Sequence, residues 1–404
     1  MVLKTWEFFF KFHHLAGLFI VSFVTAALFL SQDINYWNVI KNQVIINEVQ
    51  PAEYDNSSAV CDFLSGKWVY DNISYPLYKE RQCSFMEDGF ACEKYGRKDL
   101  KYQHWRWQPR NCDLPRFNGT AFLEKIRGKK MLFVGDSLNR NQWVSLLCMI
   151  ESSLPPSSNK SLILQGNLYY FHDIEYNATI GLYWSPFLVE SNCDDVWHHR
   201  IKGRVIRVEA IEKHAKHWND ADILIFNSYA WWLDPTLKIL WGSFGSSNAI
   251  YKIATKTRRY EKALATWSDW LEININRTKT KLFFMSRSPY TFRGDKTGHC
   301  YNRSEPIFFK EGYLMSATKH GMMRVAESTI EKLEKRGVKV EYLRITDMSE
   351  YRRDAHPSIY RKFYSPVTEE NKKDPTTYSD CLHWCLPGVP DIWNQILYAY
   401  IMKQ

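Results

Sequence analysis

The chain has 404 residues, 45% of them hydrophobic and 16% aromatic, so it is long enough to bury a substantial core. Its formal net charge of +9 is modest for this length, and no long run of basic residues stands out, which argues against a nucleic-acid partner. It contains 16 tryptophans; most are expected in the core, but a minority fit a carbohydrate groove in which indole rings stack on sugars.

The N-terminal segment predicts a membrane anchor. An uncharged apolar run extends from Leu15 to Leu30, preceded by further phenylalanines and by Lys4 and Lys11. This basic flank would hold the preceding residues 1–14 in the cytosol. A cleaved signal peptide is the alternative, but no clear small-residue cleavage site follows Leu30. We therefore expect a signal-anchor at residues 15–30 and a single-pass type II protein whose remaining chain is luminal.

Two segments precede the main domain. Residues 31–60 lack sustained periodicity and predict a short stem. Residues 61–119 are dense in cysteine, tryptophan, tyrosine and charge, with few long apolar runs. Such a segment could hardly bury a core alone, so we expect a small, irregular, disulfide-rich subdomain that packs on the larger domain.

Cysteines and glycosylation sequons both fit an oxidising lumen. Seven Asn-x-Ser/Thr sequons occur, at Asn56, Asn72, Asn118, Asn159, Asn177, Asn276 and Asn302. Nine cysteines follow the anchor, at positions 61, 83, 92, 112, 148, 193, 300, 381 and 385, and the odd number leaves at least one free or paired between chains. A zinc site is the competing interpretation. We disfavour it because Cys83 and Cys92 are too far apart for the usual zinc knuckle, so no metal is expected.

Residues 120–404 predict an α/β domain. Candidate strands are Met131–Val134, Val205–Ala210, Ile223–Asn227, Lys281–Ser286 and Val338–Leu343; helices are predicted near Arg258–Asn274 and Ser316–Arg336. Helix-length spacings between successive strands favour a mainly parallel, doubly wound sheet with its site at the carboxyl edge. The aromatic segment Asn167–Glu190 is interpreted as an inserted hairpin.

A candidate nucleophile follows the first of these strands. Gly135, Asp136 and Ser137 come directly after an apolar run, where a buried strand turns into a helix. Ser137 would then lie at the carboxyl edge of the sheet, where N–H groups at the start of the helix can stabilise an oxyanion.

A candidate base lies near the C-terminus. Asp380 precedes His383 by three residues, so its carboxylate could orient the imidazole while the other ring nitrogen takes the proton of Ser137. The three residues together predict acyl transfer or ester hydrolysis. His356 is the rival base, but Pro357 follows it and favours a loop with a structural or acceptor-binding role.

Both motifs resemble the plant trichome-birefringence-like family of Golgi polysaccharide O-acetyltransferases. The matching residues are Gly135-Asp136-Ser137-Leu138-Asn139-Arg140-Asn141-Gln142 and Asp380-Cys381-Leu382-His383-Trp384-Cys385-Leu386-Pro387-Gly388. The likeness extends from Cys61 nearly to the C-terminus, and it implies a GDSL/SGNH-like sheet flanked by helices. The chain departs from the usual family pattern at Ser286–Thr291, which bears on the acceptor rather than on the chemistry.

The resemblance also implies roles for individual residues. Asn227 resembles the amide that completes the oxyanion hole of Gly-Asp-Ser-Leu enzymes, although it could equally be a turn residue at the end of a strand. Gly166 could supply a further donor or simply form a turn. Arg140, Asn141 and Gln142 would bind donor or acceptor, or fasten their helix to the small subdomain.

The resemblance also implies which cysteines are paired. It implies that Cys193 is unpaired and that the other eight cysteines form four bridges. If Cys381 and Cys385 are bridged to distant partners, they clamp the loop that carries His383.

We therefore expect a Golgi membrane enzyme that transfers an acetyl group to a cell-wall polysaccharide, with xylan the favoured acceptor. The transfer would pass through an acetyl-serine at Ser137. No bound cofactor is expected, and acetyl-CoA or another activated donor would be a substrate. A polysaccharide acetyl esterase is the first alternative, because the same three residues serve both reactions. The second is a non-catalytic wall-glycan-binding protein.

Overall fold

The computed structural model describes residues 61–290, 299–307 and 317–403, the side chains of residues 317–319 excepted. The predicted cytosolic tail, anchor and stem lie outside these ranges. Within them, no helix combines the length and the apolar character needed to cross a bilayer. The chain from Cys61 onward forms one compact unit.

Strands and helices are both distributed along the whole of this unit. The strands are β1 (Gly66–Tyr70), β2 (Trp105–Pro109), β3 (Lys130–Gly135), β4 (Lys160–Gln165), β5 (Leu168–Asp173), β6 (Ala178–Trp184), β7 (Glu190–Ser191), β8 (Val205–Arg207), β9 (Ile223–Asn227), β10 (Lys238–Trp241), β11 (Ile250–Lys252), β12 (Lys281–Met285) and β13 (Val340–Leu343). The α-helices are α1 (Gly119–Lys125), α2 (Ser137–Glu151), α3 (Glu212–Ala215), α4 (Lys256–Asn274), α5 (Ala317–Lys335), α6 (Thr346–Glu350), α7 (Glu369–Lys373) and α8 (Val389–Lys403).

The main sheet contains seven of the described strands, in the order β13-β12-β9-β3-β6-β5-β4. The five strands from β13 to β6 are parallel, and β5 and β4 extend the sheet in antiparallel pairing. This arrangement confirms the predicted mainly parallel α/β fold. The segment predicted as an inserted hairpin is a hairpin, but β6 pairs directly with the central strand β3, so it is part of the sheet rather than an insertion.

Two hydrophobic cores cover the two faces of the sheet, because successive side chains of a strand point to opposite faces. In β3, Met131 and Phe133 lie in the core shared with α1, α2, α8 and the N-terminal region. Leu132 and Val134 lie in the other core, which α4 and α5 cover. The central strand is therefore buried on both sides, as its unbroken apolar sequence indicates.

Two smaller sheets accompany the main one. Strands β1 and β2 form an antiparallel pair in the N-terminal region. Strands β7, β8, β10 and β11 form a separate sheet, and this corrects the prediction that Val205–Ala210 belongs to the main sheet. The strand ends at Arg207, because the chain turns there and the N–H of Ala210 bonds to the carbonyl oxygen of Arg207.

Four disulfides join the cysteines as the family resemblance implied. They link Cys61 to Cys112, Cys83 to Cys148, Cys92 to Cys385, and Cys300 to Cys381. Cys193 is buried and free. The second and third bridges tie the small disulfide-rich N-terminal subdomain to α2 and to the segment that precedes α8.

Candidate active site

Ser137 is the first residue of α2 and follows the central strand β3 at the carboxyl edge of the main sheet. The turn needs a glycine at 135, since a Cβ atom there would lie 2.2 Å from the carbonyl oxygen of Asn227. Asp136 caps the helix by accepting a hydrogen bond from the N–H of Leu138 at 2.9 Å. Burial raises the pKa of Asp136 to about 6.

The side chains of Ser137, His383 and Asp380 form one chain of hydrogen bonds. His383 Nδ1 lies 2.8 Å from Asp380 Oδ2, and His383 Nε2 lies 2.8 Å from Ser137 Oγ. A carboxylate only accepts, so Nδ1 carries the proton and Nε2 is free to accept from the serine hydroxyl. This geometry allows the imidazole to take the proton of Ser137 as the hydroxyl attacks.

Asp380 is fixed and charged by its surroundings. Its Oδ1 accepts hydrogen bonds from the backbone N–H groups of Leu382 and His383, at 3.0 and 3.1 Å. Burial alone would raise the pKa of Asp380, but the charge and hydrogen bond of His383 and the charge of Arg361 outweigh it and lower the pKa. The carboxylate is therefore ionised at neutral pH and can stabilise a charged imidazole.

The loop that carries His383 is held from several sides. The amide of Asn141 bonds twice to the backbone of Trp384: its Oδ1 accepts from the N–H at 2.7 Å and its Nδ2 donates to the carbonyl oxygen at 3.2 Å. The disulfides of Cys381 and Cys385 enclose the same loop. The position of His383 relative to Ser137 therefore depends on covalent and polar contacts from distant parts of the chain.

His356, the rival base, lies beneath this loop. Its Nδ1 donates to the carbonyl oxygen of His383 at 2.7 Å, and its ring stacks on Trp384 with centroids 4.0 Å apart. Burial lowers the pKa of His356 to about 4, so the ring is neutral at physiological pH. These contacts place His356 as a support of the His383 backbone rather than beside Ser137.

Ser137 opens into a cleft of about 370 Å³. Its walls are aromatic and cationic; they include Phe90, Trp184, Trp231, Tyr364, Arg140, His199, Arg200, Arg204 and Arg361. Trp184 and Trp231 meet edge to face, with ring centroids 5.6 Å apart. The cleft therefore offers flat apolar surfaces and cations beside Ser137, a combination that suits sugar rings and polar ligands.

The three residues after the nucleophile have different positions. Arg140 lines the cleft and pairs with Glu87 of the N-terminal subdomain, Nε to Oε1 at 2.7 Å. Asn141 and Gln142 are fully buried and lie outside the cleft wall. Arg140 thus fastens α2 to the subdomain while facing the cleft, and Asn141 acts on the loop of His383.

Asn227 ends β9 directly beside Gly135, which precedes the nucleophile turn. Its side chain is 1% exposed, and neither its Oδ1 nor its Nδ2 has a hydrogen-bond partner among the described residues. A buried amide without a partner is costly. Gly166 belongs to the two-residue turn between β4 and β5, with φ of +58°, and neither Gly166 nor Asn227 is among the residues that line the cleft of Ser137.

Several cleft residues were not singled out from the sequence. Glu87 and Phe90 come from the N-terminal subdomain, and the Phe90 ring lies 5.8 Å from that of His383. The pairing of Cys92 with Cys385 helps to bring them there, and one sequence does not reveal that pairing. Arg200 and Arg204 lie in a segment without a recognisable motif.

Among the described residues, one cluster has the composition of a metal site. It consists of His299, Cys300 and Cys381, whose ligand atoms lie within 4.8 Å of one another. Cys300 and Cys381 are joined to each other, so neither offers a thiolate to a metal. The cluster is therefore explained by the disulfide.

Two known protein families match this chain from residue 59 to residue 400. Residues 114–400 match the family described as "GDSL/SGNH-like Acyl-Esterase family found in Pmr5 and Cas1p", and residues 59–113 match the PMR5 N-terminal domain. Protein trichome birefringence-like 34 of Arabidopsis thaliana is 48% identical over 97% of this chain and 96% of its own length. The chain belongs to the trichome birefringence-like family.

Other relatives in this family have names that state an activity. Xylan O-acetyltransferase 14 of Oryza sativa subsp. japonica is 46% identical over 87% of this chain and 80% of its own length. Xylan O-acetyltransferase 12 of the same plant is 50% identical over 85% of this chain and 70% of its own length. The family predicted from the two motifs is thus confirmed.

Proposed function

We propose that this trichome birefringence-like protein transfers acetyl groups from an activated donor to hydroxyls of a cell-wall polysaccharide, with xylan as acceptor. The observation that carries the proposal is the hydrogen-bonded series Ser137–His383–Asp380 at an aromatic cleft. Relatives covered over most of their length are named xylan O-acetyltransferases, which supports both the reaction and the acceptor.

The first half of the reaction forms an acetyl-serine. Ser137 Oγ attacks the carbonyl carbon of the donor, and its proton passes to His383 Nε2, which lies 2.8 Å away. The resulting imidazolium is stabilised by the ionised Asp380 and then donates the proton to the leaving group. Breaking the donor bond leaves the acetyl group on Ser137.

The second half transfers the acetyl group to sugar. A polysaccharide hydroxyl gives its proton to His383 Nε2 and attacks the ester carbonyl, and Ser137 regains a proton as it leaves. Transfer prevails over hydrolysis only if the sugar displaces water from the cleft. The rings of Trp184 and Trp231 supply apolar surface for that purpose.

An oxyanion develops in both halves. The N–H at the start of α2 is suitably placed to stabilise it, because Ser137 begins the helix. We assign the second donor to the Nδ2 of Asn227, at the end of the adjacent strand. Its lack of a partner within the described structure supports this assignment, since a substrate oxygen would satisfy it.

We further propose that the protein acts in the Golgi lumen as a single-pass type II membrane protein. Four disulfides support an oxidising compartment. The six sequon asparagines within the described ranges are all exposed, as glycan attachment requires.

An acetyl esterase is the second candidate, and the acyl-esterase name of the matching family favours it. The same three side chains would then pass the acetyl group to water.

The test of both candidates is to incubate the full-length protein with an acetyl donor and xylooligosaccharide and to measure acetylated sugar and free acetate by mass spectrometry. We expect acetylated oligosaccharide with wild type and none with Ser137→Ala. Acetate release from acetylated xylan without transfer to sugar would support the esterase instead.

A further inference from the structure

We propose that the cleft contains an anion-binding subsite, formed by Arg200 and Arg204, that takes a carboxylate or phosphate group of a substrate. This inference rests on the proposed function, because it concerns what enters the cleft of Ser137. The chemistry is common to two sources: the carboxylate of an acidic sugar on the acceptor and the phosphates of a nucleotide-linked acetyl donor.

Charge is unbalanced in the described wall of the cleft. Four arginines line it against two carboxylates, those of Glu87 and Asp380. Glu87 is paired with Arg140, and Asp380 is engaged by His383 and Arg361. Neither carboxylate is therefore paired with Arg200 or Arg204.

Arg200 has no carboxylate partner among the described residues. Its guanidinium lies over the ring of Tyr364, with its central carbon 4.5 Å from the ring centroid. Stacking of this kind orients the planar group but does not neutralise it. Its N–H edge remains able to form the paired hydrogen bonds that carboxylates and phosphates accept.

Arg204 is only partly satisfied. It stacks on Trp231, its guanidinium carbon 4.0 Å from the ring centroid, and its Nη1 lies 3.3 Å from Asp234 Oδ2. Its Nε is buried and has no hydrogen-bond partner among the described residues. The guanidinium therefore retains donors that a ligand could satisfy.

The positive charges of Arg200 and Arg204 both act on His199. His199, which directly precedes Arg200 in the sequence and also lines the cleft, has its pKa lowered by burial, with further lowering by the positive charges of Arg200, Arg204 and Arg140. A neutral sugar chain offers hydroxyls but no charge to offset this concentration of cations. An anionic ligand group would lower the electrostatic energy directly, so the wall is better suited to an acidic substrate.

The inference is tested with paired ligands that differ in charge. The donor pair is acetyl-CoA and an uncharged acetyl thioester without phosphates; the acceptor pair is a uronic-acid-substituted and an unsubstituted xylooligosaccharide. KM is measured for full-length wild type and for Arg200→Gln, Arg204→Gln and Arg200→Lys. Lys202→Gln is the matched control, because it removes one charge from the same exposed segment outside the cleft wall.

We expect Arg200→Gln to raise KM for the charged member of one pair about tenfold more than for its uncharged partner, with Arg200→Lys intermediate. Discrimination within the donor pair assigns the subsite to phosphate, and discrimination within the acceptor pair assigns it to carboxylate. Ratios equal to those of Lys202→Gln in both pairs would overturn the inference.

The anion-binding subsite can be tested even if the proposed acetyl transfer is not observed. If wild type transfers no acetyl group, the same four ligands are titrated against Ser137→Ala with and without Arg200→Gln, and equilibrium binding replaces KM. Weaker binding of a charged ligand on loss of Arg200 would still support the subsite. Equal binding by both variants would reject it.

Discussion

The hydroxyl of Ser137 depends on groups that lie far away in the sequence. His383 Nε2 accepts from it at 2.8 Å across 246 residues, and Asp380 holds the imidazole in the required tautomer. Asn141, one turn beyond the serine on α2, holds the Trp384 backbone next to that histidine. The helix that presents the proposed nucleophile therefore also positions the proposed base.

The two histidines are expected to differ sharply in their effects. His383→Ala removes the base and should lower acetyl-serine formation by about 10⁴-fold or more. His356→Ala leaves the base in place but removes the hydrogen bond to the His383 carbonyl, so a loss on the order of tenfold is expected, and His356→Asn should restore part of it by returning an N–H donor.

Rapid-quench measurement of the acylation rate tests this pair of expectations. Circular dichroism of each variant controls for unfolding. Loss of acylation in His356→Ala together with its survival in His383→Ala would reverse the assignment of the base.

Asn227→Ala should separate activity from stability. The substitution deletes a proposed oxyanion donor, so acylation should slow by about 10²- to 10³-fold. It also removes two buried polar atoms that lack partners, which offsets the small cavity that it leaves, so the melting temperature should change little. Asn248→Ala, in an exposed loop, is the control. Acylation within a few-fold of wild type would remove Asn227 from the oxyanion hole.

Among individual residues, the sequence predicted Ser137, Asp380 and His383 as a group, and the structure joins their side chains by hydrogen bonds. Their prediction depended on two local motifs, one at a strand-to-helix turn and one with an aspartate three residues before a histidine. Arg200 and Arg204 could not be predicted, since their relation to the cleft depends on stacking against Trp231 and Tyr364 from other segments.

The element that determines the site is the loop between residues 380 and 386. It has little regular structure of its own, yet it is fixed at Cys381 to Cys300 and at Cys385 to Cys92. Without these links, only non-covalent contacts such as the hydrogen bonds of Asn141 and the packing of Trp384 would hold His383 beside Ser137.

Removal of one bridge should therefore lower activity before it lowers stability. The double variant Cys300→Ser/Cys381→Ser should lose activity on the order of 100-fold, because small displacements of a catalytic group are costly. The matched control, Cys61→Ser/Cys112→Ser, removes a bridge within the N-terminal subdomain and should lose far less. Activity and melting temperature are measured together. Equal activity of the two double variants would show that the Cys300–Cys381 link does not position His383.

Strand and helix prediction succeeded where periodicity decided the structure. Ile223–Asn227 was predicted with its observed bounds, and the two long helices differ from prediction by one or two residues at their ends. The error at Val205–Ala210 arose because a short apolar run does not state which sheet it joins. This strand, β8, belongs to the smaller sheet because it pairs with β10, which is distant in sequence.

Helix α8 packs in the core that α1, α2 and the N-terminal region share on one face of the main sheet. Asp391 in this helix is fully buried and accepts hydrogen bonds from Tyr78 at 2.9 Å, from Ser145 at 2.6 Å, and from the N–H of Gly388 at 2.8 Å. One carboxyl group thus joins the N-terminal subdomain, the nucleophile helix and the segment that follows the His383 loop.

This network predicts a pH dependence of stability. Burial raises the pKa of Asp391 to about 7, so between about pH 4 and pH 7 the folded protein holds a proton that the unfolded chain has lost. The contribution of Asp391 to stability should therefore fall as pH rises through this range, and Asp136, with its raised pKa, acts in the same direction. His356 acts in the opposite direction because its pKa is lowered, so the effect of Asp391 is isolated by comparing wild type with an Asp391 variant.

Thermal unfolding at several pH values checks this expectation. The melting temperature of Asp391→Asn relative to that of wild type should rise from about pH 5 to pH 7.5, because the variant lacks the proton that Asp391 loses in this range. Asp220→Asn, which changes an exposed aspartate on the surface, should follow wild type. Parallel curves for wild type and Asp391→Asn would remove Asp391 as the source.

The central claim is that Ser137 carries the acetyl group between donor and polysaccharide. Intact-mass analysis of the full-length protein after exposure to an acetyl donor, followed by addition of xylooligosaccharide, tests it most directly. We predict an adduct of one acetyl group that maps to Ser137, is absent in Ser137→Ala, and disappears as acetylated oligosaccharide forms. Acetylated sugar produced equally by Ser137→Ala, or an adduct that maps elsewhere, would contradict the account.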